Sequence, residues 1–155
     1  MPNHIIGLGI GEQQLTRNEI HMRELQTAMS DILHENQFLV AALGDVEVNV
    51  TVNKEEQRVV LCAESVGGDA TQTSHITLPT KPLRSLMKDY FLICESYQEA
   101  IRSHDTRKIE AVDMGRRGLH NEGAEMIADM LEDKVTIDHN TARRLFTLVA
   151  ILHMK

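Results

Sequence analysis

The run Asp113-Met114-Gly115-Arg116-Arg117-Gly118-Leu119-His120-Asn121-Glu122-Gly123 holds the densest polar chemistry of the chain. Arg116 and Arg117, with Arg143 and Arg144 further on, offer guanidinium forks whose geometry suits phosphate or carboxylate. Gly115 and Gly118 would let a ligand approach the backbone. His120, beside Glu122 or Asp113, supplies the residue types of acid–base catalysis, since a histidine titrates near neutral pH. A second account needs no ligand. Asp113 and Arg117 stand four apart and make a routine helical ion pair, and Arg116 and His120 have the same spacing beside an apolar stripe. There they would form a polar network that sets helix register. The candidate ligand-binding set is Arg116, Arg117, His120, Asn121, Glu122, Arg143 and Arg144, and no residue is assigned a catalytic role. The two arginine pairs share a pocket only if the last two helices pack antiparallel. Otherwise Arg143 and Arg144 lie in the first turn of an exposed helix end, beside Asp or Glu.

Other chemistries lack their signatures. The eight histidines are scattered, with no H-x-x-x-H pair, no C-x-x-C and no calcium loop, so no metal or other cofactor is expected. There is no G-x-S-x-G elbow and no Walker loop. Gly7 and Gly9 suggest a dinucleotide-binding turn, but Glu12 stands where the third glycine belongs, and no clear helix-then-parallel-strand unit follows.

Length and composition bound the rest. The 155 residues read as one domain, with 42% apolar and 25% charged residues, an ordinary globular composition. A net charge of -7 argues against a general nucleic-acid coat, so nucleic acid is not the expected partner. Cys62 and Cys94 fit a reduced cytosolic protein better than a disulfide framework. No signal peptide or membrane-length apolar run is read, and the expected location is cytoplasmic.

The elements that must position the polar groups follow from periodicity. Ile5 to Ile10 reads as a short strand. Thr16-Arg17-Asn18-Glu19 has capping-box spacing, and His21, Leu25, Ala28 and Ile32 continue as a helix that Asn36 stops. Val46, Val48, Val50 and Val52 alternate with polar residues, giving a half-buried strand. Arg58 to Glu64 and Ser74 to Leu78 return as further strands around turns at 53–57 and Gly67-Gly68-Asp69. From Thr80, a capping candidate followed by Pro82, the pattern is helical. Leu83, Leu86, Met87, Tyr90, Cys94, Tyr97 and Ile101 make one stripe, in which Cys94 is a small core residue. Asp105 or Thr106 caps the next helix, with a buried stripe of Ile109, Val112, Arg116, Leu119, Gly123, Met126 and Met130. Arginine and glycine interrupt that stripe, so something is expected to dock on it. Lys134 to Ile137 reads as a short connection, and Asp138 caps a last helix that should be the most buried element. The fold class is α+β: an N-terminal helix and antiparallel β-meander (1–79), then a three-helix half (80–155), in one domain.

Lys88-Asp89-Tyr90-Phe91-Leu92-Ile93-Cys94-Glu95-Ser96-Tyr97 with Glu99-Ala100-Ile101-Arg102, the run Ile109 to Gly123, and Thr141-Ala142-Arg143-Arg144-Leu145-Phe146-Thr147-Leu148 carry a resemblance. On these residues the chain resembles the bacterial Uncharacterised Protein Family, number 0262. The likeness is specific over the C-terminal half and looser over the first 80 residues, where Ile6 to Gly11 departs from the family pattern. It implies a shared fold and central motif, and transfers no catalytic residue. Arg116 and His120 also invite comparison with the R-x4-6-H motif of HEPN-type ribonucleases. Only three residues separate them here, and the strand-rich first half departs from an all-helical domain. The leading expectation is a non-catalytic interaction or oligomerisation module that presents Asp113 to Glu125 to a protein partner or a second copy. A low aromatic content of 3% weakens a conventional hot-spot interface. The alternative is an enzyme or sensor that binds a phosphorylated or carboxylated small ligand through the Arg/His pocket.

Overall fold

The computed structural model describes residues 3–11, 18–68 and 70–154. The chain runs β1 (Ile5–Ile10), α1 (Glu19–His34), β2 (Phe38–Val40), β3 (Val48–Glu55), β4 (Arg58–Ser65), β5 (Thr73–Pro79), a 3-10 turn (Lys81–Leu83), α2 (Arg84–Ser103), α3 (Thr106–Leu131), β6 (Val135–Ile137) and α4 (His139–Met154). This is the α+β class, with a helical C-terminal half, that the periodicities predict.

β3, β4 and β5 form the expected antiparallel meander, and β1 joins its β3 edge in parallel. The β1–α1–β3 connection is thus a helix-then-parallel-strand crossover, which the sequence reading did not find. The reason is local: β2 and a loop stand between α1 and β3, so the chain lacks a compact crossover signature. Val48, Val50 and Val52 are buried as the alternation demands, whereas Val46 lies before the strand and is exposed. Thr16 and Arg17 of the expected capping box, Glu12 and Asp69 lie outside the described residues. The cap of α1 within them is Asn18, whose side chain accepts the Ile20 and His21 backbone N–H groups at 2.9 and 3.1 Å.

Lys134 to Ile137 does more than connect. β6 pairs antiparallel with β2, Phe38 opposite Ile137 and Val40 opposite Val135. Three residues are too few to show a period of two, so only the pairing reveals the strand. Asn36 follows the end of α1, as a stop residue should, but its amide is buried. It accepts the His4 and Ile5 N–H groups at 3.0 and 2.8 Å and donates to the Ile5 and Ile32 carbonyls at 2.9 and 2.7 Å.

In the helical half, Thr80 precedes the 3-10 turn without a side-chain cap bond, contrary to the expectation for it. Leu83, Leu86, Met87, Tyr90 and Cys94 are buried, but at the far end of α2 Ala100 takes the inward place given to Ile101. Asp105 caps α3, accepting from Arg107 and Lys108 N–H. The helix then runs unbroken through the whole polar motif. Gly123 is buried as expected, and Leu119, Met126 and Met130 pack half-buried against the core, but Ala124, Ile127 and Leu131 are the other fully buried positions and Ile109 and Val112 are half-exposed. The half of α3 that packs on α4 is the half that is buried. α4 is the most buried element, with 145–152 inaccessible except for small fractions. Asp138 precedes it, its backbone carbonyl accepting Ala142 N–H while its carboxylate accepts Gln37 N–H at 3.2 Å. No helix among the described residues is long and apolar enough to cross a membrane.

Candidate functional site

The two arginine pairs do not behave alike. Consecutive helical residues point about 100° apart, so Arg116 and Arg117 cannot share a face. Arg117 turns outward and pairs with Asp113 at 2.8 Å, the routine i,i+4 contact. Arg116 turns toward α1, 3.7 Å from the Glu24 carboxylate, with its guanidinium 4.8 Å above the centre of the Tyr97 ring. One turn later His120 faces α4, its Nε2 3.2 Å from Thr147 Oγ1.

From α4, Arg143 and Arg144 approach the same region. Arg144 reaches the C-terminal carbonyls of α1, Asp31 and Glu35, at 3.4 and 3.3 Å, and stands 4.0 Å from the Asp31 carboxylate. Arg143 has a buried Nε without a hydrogen-bond partner among the described residues. Together Arg116, His120, Arg143 and Arg144 line a cleft of about 210 Å³ between α1, α3 and α4. Glu24, Thr27, Ala28 and Asp31 of α1 and Asn140 and Thr147 of α4 complete it. The remaining three candidates lie elsewhere. Arg117 is exposed, Asn121 Oδ1 accepts from His139 Nε2 at 3.1 Å, and Glu122 is exposed.

The glycines divide as well. A side chain at Gly115 would meet Ile93 at 2.7 Å, so α2, not a ligand, takes up that close approach. Gly118 is open but outside the cleft lining, and Gly123 is the position against which Phe146 packs. Sequence reasoning missed the contribution of α1. Glu24, Thr27 and Asp31 recur at steps of three and four, flanking the predicted stripe of Leu25, Ala28 and Ile32. That flank was a usable signal, since polar residues bordering a buried stripe face whatever the stripe packs against.

A larger cleft of about 760 Å³ lies between the start of α1 and the end of α2, lined by His21, Cys94, Glu95, Glu99 and Arg102 among others. It sets one arginine against two glutamates and holds none of the expected site residues. Burial, then the Glu24 carboxylate, pushes the Cys94 thiol up to about 11, which keeps it protonated and unreactive. Among the described residues no group of three or more His, Cys, Asp or Glu side chains is placed to hold a metal ion.

The smaller cleft has the stronger electrostatic signature. Burial first, then Arg116 and Arg143, lower the His120 pKa from 6.5 to about 4. The imidazole is therefore neutral at physiological pH, and only the guanidinium groups carry positive charge. The unfolded chain binds a proton at this residue below about pH 6.5, and the folded chain only near 4, so stability rises with pH across that interval. The contribution is complete above pH 6.5 and is lost as pH falls toward 4. Burial, Lys54 and Arg84 move His153 the same way, which adds to the slope. His120→Gln is expected to flatten the fall in melting temperature between pH 6.5 and 4. An unchanged profile would remove His120 from this role.

The fold and cleft define an α+β domain whose three-helix packing gathers a cationic patch in an otherwise acidic chain. A family model described as Uncharacterised protein family (UPF0262) matches residues 2–155, and the chain belongs to that family. A "UPF0262 protein" of Azorhizobium caulinodans is 40% identical over 99% of this chain and 96% of its own length. Similar proteins from Mesorhizobium japonicum and Brucella canis are 46% and 44% identical, each over 85% of this chain, with 81% and 82% of their own lengths covered. No solved structure matches the chain.

Proposed function

We propose that the protein binds a small anionic ligand, carrying a carboxylate or phosphate, between Arg116, Arg143 and Arg144. The observation that supports this most is the convergence of Arg116, Arg143 and Arg144 on one cleft, with an Arg143 Nε that is buried and has no hydrogen-bond partner among the described residues. A guanidinium with a buried N–H left without an acceptor is costly to hold, and an anion in the cleft would offset its charge. His120, held neutral, can donate or accept a hydrogen bond without adding charge. The cleft of about 210 Å³ lies below the roughly 300–1,000 Å³ common for drug-sized ligands, so the ligand is small. The test is a thermal-shift and calorimetric screen against inorganic phosphate, sulfate, and small mono- and dicarboxylates. Binding should be lost in Arg143→Ala and kept in Arg117→Ala, because Arg117 stands outside the cleft. Retention in Arg143→Ala would overturn the assignment.

A second reading, the interaction module, draws on the exposed face of the α2–α3 hairpin. Met114 is 71% and Leu92 54% exposed. Self-association through that face would make the apparent mass of the protein depend on concentration, and Met114→Glu would abolish the dependence. A concentration-independent monomeric mass would exclude self-association there.

A further inference from the structure

The cleft is not purely cationic, and the way its charges are paired narrows the ligand class. Three guanidinium groups (Arg116, Arg143, Arg144) stand with two carboxylates, Glu24 and Asp31, which lie two turns apart on one face of α1 with Thr27 between them. Neither carboxylate is tightly bound by an arginine: Arg116 is 3.7 Å from Glu24 and Arg144 4.0 Å from Asp31. Charge-assisted hydrogen bonds close to about 2.7–2.9 Å. The Arg117–Asp113 pair of the same helix, at 2.8 Å, shows a closed contact. The cleft thus opposes the guanidinium groups of α3 and α4 to a carboxylate wall on α1 whose oxygens keep acceptor capacity.

Resting on the anion-site reading above, we infer that the ligand is zwitterionic, an α-amino acid or a molecule of similar size with one carboxylate and one ammonium group. The carboxylate lies on Arg143 and Arg116, and the ammonium on the α1 wall that carries Glu24 and Asp31. A simple dianion fits worse. Drawing Arg116 toward itself, it would leave Glu24 facing both an unpaired charge and the ligand's own negative charge, a double penalty in a partly buried site. An ammonium replaces the partner that Glu24 gives up. The hydroxyl of Thr27, placed between the two carboxylates, adds a neutral acceptor on the same wall.

The test is isothermal titration of the purified full chain with each of the twenty common α-amino acids, inorganic phosphate and succinate. For any amino acid that binds, its N-acetyl derivative and its decarboxylated amine follow. The expected result is binding of at least one amino acid, weakened about tenfold or more when either charged group is removed. Asp31→Asn changes a half-exposed side chain and should fold normally. It is expected to weaken amino-acid binding about tenfold while leaving phosphate binding unchanged or improved. If phosphate or succinate binds with dependence on Arg143 and no amino acid does, the zwitterion assignment is wrong and the anion site stands. If the N-acetyl form binds as tightly as its parent, the carboxylate wall has no ligand role. If nothing in the set binds, both readings fall.

Discussion

Asn36→Ala is expected to lower the unfolding free energy by about 3–5 kcal/mol, because leaving a single buried polar group unpaired costs about 1–3 kcal/mol. The Asn36 side chain is 1% exposed and serves four backbone groups in two segments. Its oxygen receives the N–H groups that open β1, and its nitrogen reaches across to β1 and back to the last turn of α1. The amide therefore joins the strand that forms the parallel edge of the sheet to the helix that crosses over it. Alanine would strand two donors and two acceptors where water does not reach. Asn36→Asp separates shape from hydrogen bonding. It keeps the acceptor for His4 and Ile5 but turns an oxygen toward the Ile5 and Ile32 carbonyls, so it too should destabilise. Urea unfolding with an unchanged m-value measures the loss. A change under about 1 kcal/mol in both variants would show that water or backbone rearrangement replaces the amide.

The second large effect lies where α3 crosses α4. Phe146 is completely buried and meets Tyr90 edge-on, with ring centres 5.7 Å apart and planes at 79°. Its ring also lies so close over Gly123 that a β-carbon there would overlap it. Phe146→Ala is expected to cost about 3–5 kcal/mol, the range for emptying an aromatic site in a packed core. The three glycines of α3 then make an ordered series. Gly118→Ala meets nothing and should gain up to about 1 kcal/mol from helix propensity. Gly115→Ala meets only the flexible tip of Ile93, which can turn aside, so its effect falls between. Gly123→Ala has the same propensity gain but forces a buried ring to move, and overpacking of about 1–3 kcal/mol makes it the destabilising member. Equal melting temperatures for the Gly118 and Gly123 variants would contradict this packing. A double variant, Gly123→Ala with Phe146→Leu, should lose less than the two single changes together, since they share one contact.

Much of the architecture was written in local sequence. The valines of β3, the return strands, the stripe of α2, the Asp105 cap and the apolar run of α4 are short-range patterns with one geometric reading each. The resemblance carried by 88–102, 109–123 and 141–148 likewise pointed to the family before any fold was known. Gly123 in a helix face announced a close approach, and the structure names Phe146 as what approaches. Tertiary structure alone decided the rest, because those features depend on partners far along the chain. β6 is a strand only through β2, about a hundred residues away, and β1 is parallel only because α1 carries the chain across. Spacing already sets Arg116 in the inward stripe and pairs Arg117 with Asp113, although both stand in one candidate set. Helical rotation sent one into a cleft and the other into solvent, and only the packing of α1 supplied Glu24 and Asp31 opposite. Periodicity determines which residues face inward along an element, whereas the identity of what they face is a long-range property that folding alone creates.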